Sequence, residues 1–119
     1  MLNRNIIGVD VNDVALTRCK EKTAFEHEGA NGKVYLHKGD ARNLDFVPDN
    51  SIDLICTHPP YADIIKYSED IEEDLSRLKI KDFIEEMKKV ASESYRVLKK
   101  DGIAWKYASL AIQFPVGRI

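Results

Sequence analysis

An α/β fold built on parallel strands is the class the sequence predicts, and three observations predict it. Short apolar runs alternate with a helix-patterned segment in the order strand, helix, strand. The third run, "IDLIC" within residues 51–57, is continuously aliphatic and β-branched, as in a strand covered on both faces of a parallel sheet. Polar residues gather where these runs end: Asp10, then Gly39 and Asp40, then Thr57, His58, Pro59, Pro60 and Tyr61. In open α/β sheets ligands sit beyond the carboxyl ends of the strands, so this coincidence marks a candidate site.

The first strand is "NIIGVD", residues 5–10. The segment after it places Ala15, Leu16, Cys19 and Thr23 at helical spacing, with Asn12 or Asp13 available as cap. "NGK" at 31–33 breaks the pattern, and "VYLHKGD" from Val34 supplies the second strand. The clearest helix follows the acidic stretch "YSEDIEEDLSRLK", which reads as a loop or irregular helix whose carboxylates, residues 69–74, face solvent. Phe83, Met87, Val90, Ser94 and Val97 form its apolar stripe, widened by Ile84, Ala91, Tyr95 and Leu98. Asp82 and Glu85 suit a capping box, "LKKDG" ends the helix, and "IAWKYA" from Ile103 reads as a further strand with Trp105 and Tyr107 on its faces.

Composition bounds the rest. At 119 residues, with 44% hydrophobic and 32% charged content, the chain has the size and balance of one water-soluble domain. No apolar run approaches the length of a membrane span, and the first residues lack a signal-peptide layout, so a cytoplasmic location is expected. Cys19 and Cys56 are expected as reduced core thiols. His37, Cys56 and His58 lie on strands too far apart to share zinc, and no metal site is expected. A net charge of -2 gives no overall basic bias, and Lys66, Arg96, Lys99 and Lys100 read as scattered surface cations.

Pro59 and Pro60 fix two φ angles and remove two N–H donors, so the third strand cannot continue through them. His58 and Pro59, each preceding a proline, are held extended. The chain leaves the sheet on a stiff shelf, with Tyr61 offering a flat ring for stacking.

"THPPY" after an apolar strand resembles the [D/N/S]-P-P-[Y/F/W] motif of the DNA methylases of the N-4/N-6 class, which use S-adenosyl-L-methionine to methylate exocyclic amino groups. "NIIGVDVND", "GDAR" and "SYRVLKKDG" extend the resemblance over about residues 5–105. It implies a Rossmann-like class I methyltransferase sheet, with the whole chain, 1–119, as a partial catalytic domain. Asp10 would hold the cofactor's ribose hydroxyls and Asp40, beside Ala41, its adenine amino group. His58 and the Pro59 main chain would accept the hydrogens of the target amine, and Tyr61 would stack on a base flipped out of DNA, as in restriction-modification enzymes.

Two departures stand out. His58 replaces the usual Asp, Asn or Ser; a neutral imidazole has one acceptor nitrogen, an imidazolium none. Whether His58 accepts a hydrogen or merely packs stays open. The glycine-rich turn and first strand of the family are missing before residue 5, and the tail "ASLAIQFPVGRI" departs from the family, as in a truncated or frameshifted reading frame. With family strand order 3-2-1-4-5 this leaves a central gap of roughly 10 Å, closed by collapse or by another chain, as in a homo-oligomer. The 119-residue chain is therefore expected to be inactive and to bind cofactor weakly or not at all. RNA bases, protein glutamine or a non-catalytic role remain as alternatives.

Overall fold

The computed structural model describes residues 4–24, 31–60 and 70–106, the side chains of 105 and 106 excepted. Tyr61, Lys66 and Tyr107 lie outside the described residues. The elements run β1 (Ile6–Asp10), α1 (Asp13–Thr23), β2 (Val34–Lys38), β3 (Ile52–Thr57), a 3-10 turn (Leu75–Arg77), α2 (Ile80–Val97) and β4 (Leu98–Lys106). The strand and helix segments expected from the sequence form over the described residues, except that α2 ends at Val97 and "LKKDG", expected as its last turn and stop, opens β4 instead.

The strands make two parallel pairs. β1 lies on β2 with Ile6 opposite Val34 and Asp10 opposite Lys38. Gly8 faces Leu36 so closely that a Cβ there would fall 2.8 Å from a Leu36 methyl, which would have to swing aside to admit it. β3 lies on β4 with Leu54 opposite Ile103 and Thr57 opposite Lys106. The register jumps between Ile52 and Leu54, whose partners are Leu98 and Ile103, so the "KKDG" stretch is absorbed as an irregularity inside β4. Among the described residues no ladder joins the two pairs.

Apolar burial is concentrated on one face of α2. Phe83, Met87 and Val97 are buried there, with Val47 from the loop after β2 packed into the same core. Val90, Ala91 and Ser94 are half-buried, completing the stripe at the 3.6-residue period. The widened face holds only at Ala91 and Leu98, which are half-buried: Ile84 is exposed, and Tyr95 is 80% exposed. The capping box also fails, because α2 begins three residues earlier than Asp82 requires. Lys79 is the cap residue and makes no side-chain hydrogen bond, while Asp82 sits in the first turn, where a carboxylate suits the helix dipole.

β3 is less covered than its composition suggests. Leu54 is 60% exposed and Cys56 is exposed, and α1 buries none of its residues, leaving Cys19 exposed too. Both cysteines are free thiols, but neither is in a core. The physical reason is that, among the described residues, the two-stranded sheet has no second layer that covers its apolar face, and such a pair is marginal by itself in water. No helix among the described residues is long and apolar enough to cross a membrane.

Candidate active site

The carboxyl ends of β1, β2 and β3 open on one cavity of about 340 Å³. Asp10 ends β1 and turns the chain: its Oδ1 accepts from the Asn12 N–H at 2.8 Å. Asn12 in turn caps α1, its Oδ1 accepting from the N–H groups of Val14 (2.9 Å) and Ala15 (3.4 Å). Of the two candidate caps, Asn12 is therefore the one used. The Gly39 N–H donates to the Asp10 carbonyl at 3.1 Å, which ties the end of β2 to the end of β1.

Asp40 stands one residue beyond Gly39 and is engaged by Arg42. The Arg42 backbone N–H donates to Oδ1 at 2.9 Å, and Nε lies 3.0 Å from Oδ1 and 2.8 Å from Oδ2. Nη2 donates to Oδ2 at 2.5 Å, and Nη1 reaches Glu86 Oε2 on α2. Partial burial alone would push the Asp40 carboxyl up, but the Arg42 side-chain and backbone hydrogen bonds outweigh it and hold the group below the usual carboxylate range. The Arg42 guanidinium is pushed up in turn, chiefly by its hydrogen bond to Asp40.

The loop from Asp40 to Ser51 is pinned by a second arginine. Arg96 Nη2 donates to the Leu44 carbonyl at 2.7 Å, and Nη1 to the Val47 carbonyl at 3.0 Å and to Asp49. Glu93 orients that guanidinium and also accepts the Leu44 N–H at 2.7 Å. Arg96 is thus no ordinary surface cation: it fastens the loop that carries Asp40 onto α2. Lys99 likewise pairs with Asp53, at 2.7 Å.

His58 and Pro60 line the cavity with Asp10, Asp40 and Ala41; Pro59 is buried and is not on its wall. The structure therefore brings together five of the seven site residues expected from the sequence, while Tyr61 lies outside the described residues. Two acids complete the lining from the far side, Glu73 and Asp74. Asp74 corrects the solvated reading of the acidic stretch: it is buried, and its side chain caps the 3-10 turn by accepting from the N–H of Ser76, itself fully buried. Sequence reasoning missed Asn12 as a wall residue, Asp74 and Arg42. Only Asn12 and Arg42 left a signal, as a cap candidate and as the last letter of "GDAR".

Among the described residues, four carboxylates line the cavity and no lysine or arginine does. Such a lining repels phosphates and favours a ligand carrying positive charge, hydroxyls or amino groups. Among the described residues, no group of three or more His, Cys, Asp or Glu is placed to hold a metal ion.

The profile of the RMKL-like methyltransferase domain family, UPF0020, matches residues 2–101. The chain belongs to this methyltransferase family. Over 80 residues the methyltransferase chain is 36% identical to the Type II methyltransferase M.SfiI of Streptomyces fimbriatus. That stretch is 66% of this chain and 18% of M.SfiI, so the chain spans less than a fifth of the length of this relative. No solved structure matches the methyltransferase chain.

Proposed function

We propose that the cavity is the S-adenosyl-L-methionine site of a DNA methyltransferase acting on adenine N6 or cytosine N4. One observation carries the reading: carboxylates from the ends of two adjacent parallel strands, Asp10 and Asp40, share a cavity with His58 and Pro60 at the end of a third strand. The cationic, phosphate-free cofactor suits an acidic lining with no cationic side chain among the described residues. When bound, it supplies an electrophilic methyl group. The likeness to a Type II methyltransferase supports DNA as the substrate class.

In this reading Asp10 accepts from ribose hydroxyls, and Asp40, next to Ala41, accepts from the adenine amino group. His58 and, once the buried Pro59 turns its carbonyl onto the cavity wall, that carbonyl accept the hydrogens of the target amine, so that its nitrogen lone pair leaves conjugation with the ring. Their contribution is orientation and preorganised dipoles, with no strong base required. Tyr61 stacks on the flipped base, worth about 1–3 kcal/mol by comparison with other base–aromatic contacts.

The reading also covers the architecture. The two parallel pairs are the flanks of one Rossmann-like sheet, and the edges of β1 and β3 are where its central strand belongs. Pairing with a further strand, from a second copy or another polypeptide segment, would close those edges, and the 119-residue chain alone is inactive.

Tritiated S-adenosylmethionine, offered with DNA, RNA and protein acceptors to the assembled enzyme, tests this. Label is expected in DNA amino groups, and label confined to RNA or protein would refute the substrate class. With His58 as acceptor, His58→Phe lowers the rate by removing the acceptor nitrogen, and an unchanged rate in that variant removes His58 from the mechanism.

A further inference from the structure

Arg42 carries no role in the family resemblance, yet it makes more contacts with Asp40 than any other described residue. A carboxylate offers about four lone-pair sites. Three N–H groups of Arg42 occupy Asp40: the backbone N–H on Oδ1, Nε shared between the two oxygens, and Nη2 on Oδ2. These are four contacts, two on each oxygen, but only three hydrogens, so about one more donor can be accepted where the single Nε hydrogen is shared. The pair is itself braced: Arg42 Nη1 reaches Glu86 Oε2, and Lys89 Nζ holds Glu86 Oε1 at 2.7 Å. A chain of charges therefore runs from α2 through Glu86 and Arg42 to the cavity wall at Asp40. Its members Arg42, Asp40 and Glu86 are each only about a quarter exposed or less, so water screens them weakly.

We propose that Arg42 is a positioning residue: braced by Glu86, its guanidinium fixes the Asp40 carboxylate in one orientation and leaves it a single acceptor position, selecting a ligand ring that presents an amino hydrogen. The inference rests on the cofactor reading of the cavity and deepens it. A free aspartate side chain rotates and can turn to meet different ligand edges, whereas a bidentate fork removes that freedom. An ionised acceptor so placed welcomes the 6-amino group of adenine. The 6-oxo group of hypoxanthine would set acceptor against acceptor, leaving a partly buried carboxylate unpaired.

The test is a nuclear magnetic resonance titration of the full 119-residue chain with S-adenosylhomocysteine and S-inosylhomocysteine. The same samples report the pH titration of the Asp40 carboxyl carbon. The wild type is expected to favour the amino ring at least about tenfold. Arg42→Gln should bring the two ligands within about threefold and move the Asp40 titration upward. Arg42→Lys keeps the charge but not the fork, so it should lose most of the preference while the fold persists, and it decides the matter if Arg42→Gln unfolds. An undiminished preference in the folded variant overturns the positioning role. Binding of neither ligand by the wild type refutes ligand selection by this chain, while the labelling of the assembled enzyme judges the cofactor reading. The carboxyl titration still judges the Arg42 hold on Asp40, which is refuted if wild type and variant titrate alike.

Discussion

Phe83→Ala is expected to destabilise the chain by about 3–5 kcal/mol, enough to leave it largely unfolded. Phe83 is 6% exposed and belongs to a core whose other buried apolar members, among the described residues, are Val47, Met87 and Val97. A core this small has no spare layer to close over the cavity left by a phenyl ring. Val47 sits in the same core, so the loop that delivers Asp40 is expected to loosen with it. Urea denaturation checks the prediction, with Tyr95→Ala as control: at 80% exposure its removal should change stability by no more than about 0.5 kcal/mol. Equal effects at both positions would mean that α2 does not use the face described.

Acid should release the same loop by a separate route. The Glu93 carboxyl is lowered from 4.5 to about 2, first by the Arg96 side-chain hydrogen bond and then by the Leu44 N–H. A carboxyl lowered on folding contributes stability that is fully present above its unfolded value and is lost as pH falls through its folded one. The window therefore runs from about pH 4.5 down to about pH 2. Melting temperature should decline across that window in the wild type. In Glu93→Gln it should be lower already at neutral pH, with a shallower acid decline, because the charged partner of Arg96 is gone. Parallel curves for the two proteins would show that the Glu93–Arg96 clamp does not couple to folding. The expected consequence reaches the site, since Arg96 holds the Leu44 and Val47 carbonyls just downstream of Asp40.

Much of this was legible in the sequence because it rests on local signals. Periodicity located α2 from Phe83 to Val97, and the acids ending two apolar runs marked Asp10 and Asp40 as neighbours at strand ends. The prolines placed the end of β3 correctly, since a missing N–H stops a ladder whatever surrounds it. What failed depended on contacts distant in the chain. Arg96 looked like a solvated cation because its partners, Leu44, Val47 and Asp49, lie about fifty positions away. Asp74 sat in an acidic run whose composition says surface, yet it turns inward to cap a 3-10 turn. Cys19 and Cys56 were expected in a core because they fall in a helix and in an apolar strand; such elements bury a thiol only when a second layer packs on it, and among the described residues both stay exposed.

The central claim is that S-adenosylmethionine enters the cavity at the ends of β1, β2 and β3, and amide chemical shifts test it most directly. Titrating the isotopically labelled chain should move the amides of Asp10, Asn12, Gly39, Asp40, Ala41 and His58 together, saturating with a dissociation constant in the millimolar range, about -4 kcal/mol. Shifts that cluster elsewhere, on the exposed face of α2 for example, would contradict it.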